Sequence, residues 1–121
     1  MQRNHQISLA SGEVFTWRSE RKYVPGFIGE SLLYMFRPHD GSPRFTMLVS
    51  IPTSLIPRMG PDFDRLVEGG WPHAERELQA GVRSDLRIEL QSGQEPIVTP
   101  AHGLRKFPLP GADGGEMGSW G

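Results

Sequence analysis

The chain has 121 residues, with 13 Lys plus Arg against 14 Asp plus Glu and a formal net charge of −1. That balance excludes a polycation built for nucleic acid or for an acidic membrane surface. With no Cys, disulfide frameworks, thiolate metal sites and cysteine nucleophiles are excluded as well.

The size is that of one domain. Fifteen Gly and eleven Pro make the chain turn-rich, short of a low-complexity composition. No apolar run approaches the ~20 residues of a membrane helix. The polar start, residues 1–6, lacks the apolar stretch of a signal peptide, so a cytoplasmic location is the expectation. The 11 Arg against 2 Lys are spread along the chain, which favours a compositional bias over one recognition site. Residues 1–60 carry +3 and residues 61–121 carry −4.

Ile7 and Leu9 alternate with polar residues, Ser11-Gly12 breaks the pattern, and Val14–Trp17 are strand formers. A three-residue loop with Gly12 in the left-handed conformation sets Ile7 opposite Phe15 and puts Leu9 and Trp17 on the same face. A connection follows, in which Pro25-Gly26 marks a turn. Phe27 and Ile28 are apolar enough to plug the core.

The second hairpin runs from Glu30–Arg37 through Asp40-Gly41 to Arg44–Ile51. Asp-Gly suits a tight turn because both central positions need positive φ. The expected register pairs Phe36 with Phe45, Tyr34 with Met47 and Leu32 with Val49, a wholly apolar face. The other face pairs Leu33 with Leu48, Met35 with Thr46 and Arg37 with Arg44. Being half apolar, it needs a cover: a helix, another chain or a ligand.

Residues 52–59 read as a Pro-bounded loop. Gly60 as cap, Pro61 at the first helical position and Asp62 and Asp64 at the positive end of the dipole announce a helix. Phe63, Leu66 and Val67 form its stripe. Gly69-Gly70 is expected to stop it and Trp71-Pro72 to restart it as far as Ala80. The spacing 63, 67, 71, 74, 78 keeps one phase and leaves a single kinked helix as the variant. Leu86, Ile88 and Leu90 alternate as a half-buried strand, and Ile97 and Val98 make a last short one.

The predicted fold is therefore α+β: an antiparallel sheet of about five strands in the order β-β-β-β-α-α-β, with two short helices on one face. Residues 1–99 form the domain. Its core is Leu32, Tyr34, Phe36, Phe45, Met47, Val49, Leu86, Ile88 and Leu90 beneath Phe63, Val67, Trp71 and Leu78. Residues 100–121, with six Gly and three Pro, form an irregular arm with apolar islands at Leu104, Phe107, Leu109, Met117 and Trp120.

Phosphate-loop, dinucleotide and nucleophile-elbow motifs are missing, so no catalytic residue, cofactor or metal is assigned. The four histidines lack metal-ligand spacing, and His73-Ala74-Glu75 lacks the Cys pair that would complete a deaminase site. Two like charges opposed on a sheet face are unfavourable, which makes Arg37, His39 and Arg44 a candidate anion site with Asp40 beside them. The expected function is a non-enzymatic interaction module. It buries Leu33, Met35, Leu48 and Trp120 against a protein partner or a second copy of itself, with Arg37 and Arg44 supplying charge. The alternative is single-stranded nucleic acid on a basic edge of Arg18, Arg21, Lys22, Arg37 and Arg44. A third reading places a small enzyme pocket around His39 and Asp40.

Overall fold

Gly12 and Gly41 take positive φ, +96° and +86°, and the chain turns at both. Asp40 does not take positive φ, so the second hairpin closes through a longer loop, residues 39–44, instead of a tight Asp-Gly turn. A computed structural model describes residues 4–59, 62–102 and 104. Strands β1 (His5–Ser8) and β2 (Val14–Arg21) pair with Ile7 opposite Phe15. Strands β3 (Gly29–Pro38) and β4 (Phe45–Pro52) pair Leu32 with Val49, Leu33 with Leu48, Tyr34 with Met47, Met35 with Thr46 and Phe36 with Phe45. The expected register holds throughout that ladder. It ends at Phe36–Phe45, so Arg37 and Arg44 are not a ladder pair, and Arg37 lies opposite Thr16 of β2 instead.

After β4 a 3-10 turn, Thr53–Leu55, leads into α1 (Ile56–Met59), where a loop was expected. The helix α2 (Phe63–Gln79) then runs without a stop at Gly69-Gly70 and carries Pro72 in its interior. Its cap is Asp62 rather than Gly60, because the Asp62 carboxylate accepts the Arg65 N–H at 2.9 Å. The glycines serve packing instead of termination. A Cβ on Gly70 would lie 2.6 Å from the Tyr34 hydroxyl, and one on Gly69 would lie 2.9 Å from Met59 Sδ. Buried Tyr34 rises through that gap and donates to the Val67 carbonyl at 2.9 Å. Gly81, at φ +100°, ends the helix where a stop was expected.

Strands β5 (Leu86–Gln91) and β6 (Gln94–Pro100) complete one sheet of six strands in the order β1-β2-β3-β4-β5-β6. The fold is α+β and the sheet mostly antiparallel, with a correction to the strand count and one to direction: β5 runs parallel to β4. A parallel neighbour needs a long crossover, and α1 with α2 is that crossover.

On the helix side lies the main core, with Phe15, Leu32, Tyr34, Phe36, Met47, Val49, Ile51 and Ile88 under Leu66, Ala74 and Leu78. Every expected core residue belongs to it, with Phe63, Val67 and Trp71 partly buried at its margin. The opposite face has its own small core: Leu33, Met35 and Leu48 packed with Val24, Phe27, Ala101 and Leu104. Phe27 thus plugs the second core, whereas Ile28 is 81% exposed. The chain stays on the domain beyond β6, since the Ala101 N–H donates to Asp85 O at 3.2 Å and Leu104 is buried.

At the far edge, β6 exposes Ile97 and Val98, one toward each face. Ala101 donates inward to Asp85, so its neighbour Pro100 is the residue without a donor on the strand's free side, which guards that end of the edge against strand addition. Among the described residues no helix is long and apolar enough to cross a membrane.

Candidate functional site

His5 of β1 pairs directly with Trp17 of β2, and both point to the helix side. Side chains opposed in this way sit within contact of each other, and the two rings stack with centroids 4.3 Å apart. Trp71 of α2 lies on the other face of Trp17, nearly parallel at 9° and 4.0 Å. Tyr34 and Phe36 support Trp71 from the sheet, at 5.8 and 6.0 Å. Each such aromatic contact adds about 0.5–1.5 kcal/mol beyond burial, so this ladder fixes where α2 crosses the first hairpin.

Beside the ladder opens a cleft of about 340 Å³, lined by His5, Trp17, Ser19, Phe63, Asp64, Val67, Glu68 and Trp71. Its apolar walls are Trp17, Phe63, Val67 and Trp71, and its polar groups are divided evenly, His5 and Ser19 from the strands and Asp64 and Glu68 from α2. Asp62, the helix cap, pairs with Arg65 at 3.5 Å. Glu68, one turn beyond Asp64, has no ion-pair or hydrogen-bond partner among the described residues. At the mouth, Arg21 lays its guanidinium 5.5 Å from the Phe63 ring centre and pairs with Glu30 at 3.0 Å.

A second concavity, about 390 Å³, lies at the end of the sheet between the first loop and the second hairpin tip, lined by Glu13, Phe15, Pro38, His39 and Asp40 among others. It is the larger of the two, but its charged groups already have partners within the fold. Glu13 meets Arg83 at 2.7 Å, and that hydrogen bond, with the guanidinium's charge, holds the Glu13 carboxyl below its usual range. The Ser42 side chain and then its N–H, at 2.8 Å, hydrogen-bond the Asp40 carboxylate, which lowers its pKa too. His39 Nε2 lies 2.7 Å from Thr16 Oγ1. His39 and Asp40 thus have separate partners, in a strand and in the turn itself.

The other sequence candidates are dispersed. Arg37, His39 and Arg44 are exposed around the hairpin tip, with Arg37 in the ladder to β2 and Arg44 engaged elsewhere in the chain. Leu33, Met35 and Leu48 are wholly buried in the second core, so this face is covered by the chain's own segments. Arg18 and Lys22 share that face with Glu20, which meets Arg18 at 3.4 Å. Arg21 points to the helix side, over Phe63. The five basic residues of the proposed edge are therefore divided between two faces and a hairpin tip. Expectations for residues 105–121, Trp120 among them, lie outside the described residues. Among the described residues no group of three or more His, Asp or Glu is placed to hold a metal.

Sequence reasoning put Trp17 and Trp71 in the core and, finding no metal-ligand spacing among the histidines, gave His5 no role. Alternation in β1–β2 could have paired His5 with Trp17. The cleft itself depends on where α2 crosses the hairpin, which no local pattern encodes. No family model matches the chain, and no curated protein or solved structure matches it either.

Proposed function

We propose that the chain is a non-enzymatic binding module that holds a small organic group, free or carried on a partner protein, in the cleft beside the His5–Trp17–Trp71 ladder. The observation that carries this reading is a concavity in which the rings of Trp17, Phe63 and Trp71 converge with the polar side chains of His5, Ser19, Asp64 and Glu68, a combination that suits a small-ligand site. The ladder is braced from both sides, by the β1–β2 pairing and by Tyr34 and Phe36 under Trp71. Binding there would cost little reorganisation.

Interaction with a protein partner or a second copy of the chain belongs to the same reading, with the contact moved from the Leu33, Met35 and Leu48 face to this cleft. The dispersed arginines give little support to a nucleic-acid groove, which needs charge and flat rings interleaved along one path.

Chemical-shift mapping with a set of flat and aliphatic small molecules tests the reading. Perturbations should cluster on His5, Trp17, Ser19, Val67 and Trp71. A set that moves none of them, or moves only residues around His39, would overturn it.

A further inference from the structure

The cleft's ligand class follows from its charges and from how the chain already seats a cation at its mouth. Resting on the binding reading above, we infer that the cleft takes a quaternary ammonium ion. The carboxylates on its helix side are Asp64 and Glu68. Asp64 has interactions within the chain and sits in the first turn of α2, where the helix dipole offsets part of its charge. Glu68 lies past that turn, with no partner among the described residues. A cation entering the cleft therefore meets one carboxylate that is not already neutralised, against the apolar surfaces of Phe63 and Val67.

Arg21 supplies the precedent: its guanidinium rests over the Phe63 ring and beside the Glu30 carboxylate. Ring beneath and carboxylate beside is the arrangement that stabilises an organic cation in partly desolvated surroundings. The cleft offers a carboxylate, Glu68, and apolar contact from Phe63 and Val67, while both faces of Trp17 are already covered by His5 and Trp71. A second guanidinium is a poorer fit, because its five donors need a planar set of acceptors. A quaternary ammonium asks for charge and apolar contact, with no N–H donor to satisfy.

The test compares choline with neohexanol, its neutral isostere, on the full chain, read by chemical shifts and tryptophan fluorescence. Choline should bind on the order of tenfold tighter, and added salt should weaken choline alone. Glu68→Gln should remove most of that preference, on the order of fivefold. Glu75→Gln, on a more distant turn of α2, should leave it in place. Glu68 is exposed, so its variant is expected to fold, and circular dichroism checks that it does.

Equal binding of the two probes at the cleft would overturn the cation assignment while leaving the binding reading intact. Tighter binding of methylguanidinium, a singly charged guanidinium, than of choline would overturn the choice of a quaternary ammonium. If neither probe nor the wider fragment set moves the cleft, both readings fall together.

Discussion

The Tyr34 hydroxyl reaches the Val67 carbonyl, 2.9 Å away, through a gap that exists because residue 70 is glycine. Pro72 lacks the N–H that would bond the Glu68 carbonyl and crowds it. The neighbouring carbonyl, Val67, takes a side-chain donor from the sheet. This one contact joins helix, sheet and the base of the aromatic ladder.

Gly70→Ala raises helix propensity by about 1 kcal/mol but drives a methyl to 2.6 Å from the Tyr34 oxygen. Overpacking of that kind costs about 1–3 kcal/mol, so the expected result is a net loss. Tyr34→Phe loses about 1–2 kcal/mol with its hydrogen bond. With the hydroxyl gone, the nearest Tyr34 atom to the new methyl becomes the ring carbon at 3.6 Å, an ordinary contact. The double variant should therefore be more stable than the sum of the single losses. Urea unfolding of the four proteins checks this, and strict additivity would refute it.

Tyr34 also makes an alkaline prediction. Burial raises its pKa far above the ordinary phenol value. The group stays protonated in the fold, so its contribution is fully present below the unfolded pKa of about 10 and is lost as pH rises beyond it. In an absorbance titration of Tyr23→Phe, the remaining phenol should ionise only together with unfolding, as followed by circular dichroism. Ionisation of Tyr34 in a folded chain would contradict the packing described here.

The parts of the fold legible in the sequence were those set by neighbours in the chain. Gly12 and Asp40-Gly41 are turn residues flanked by period-two alternation, and together they determine both registers. The continuity of α2 was not legible, because Gly69 and Gly70 answer to Met59 and Tyr34, which only the folded chain brings near. The same applies to the second face. Leu33, Met35 and Leu48 were recognisable as needing a cover, but the cover comes from Val24, Phe27, Ala101 and Leu104, whose own segments carry no pattern that says where they land. The cleft combines a local pairing, His5 with Trp17, and a distant one, Trp17 with Trp71. Only the first could have been found by alternation.

Arg83 clasps the first loop to the end of α2. It meets Glu13 through two nitrogens, donates to the Leu78 carbonyl at 2.8 Å and stacks over Phe15 at 4.9 Å. Glu13 has a lowered folded pKa, chiefly from its hydrogen bond to Arg83. Its contribution is therefore present above the unfolded pKa and lost as pH falls through the folded one. The stability difference between the parent chain and Glu13→Gln should be largest near neutral pH and shrink between about pH 5 and about pH 3. Arg83→Met should abolish that pH dependence, because it removes its cause. A difference that stays constant with pH would show that the pair contributes only through packing.

Lys22 is 2% exposed, and its Nζ has no hydrogen-bond partner among the described residues. Burial pushes the amine below the ordinary lysine range, while Glu20 pulls it the other way. A base whose folded pKa lies below its unfolded value costs stability wherever the unfolded chain would hold the proton. That cost is full at low pH and disappears as pH rises to the unfolded value of about 10.4. Lys22→Met keeps the apolar stem and removes the charge, and Glu20 retains Arg18 at 3.4 Å. The variant should be more stable than the parent by about 1 kcal/mol or more at neutral pH, with the gain shrinking toward about pH 10. Urea unfolding at the two pH values measures it. A loss of stability at neutral pH would mean that the Lys22 amine is satisfied in solution, and a gain independent of pH would assign the effect to side-chain packing alone.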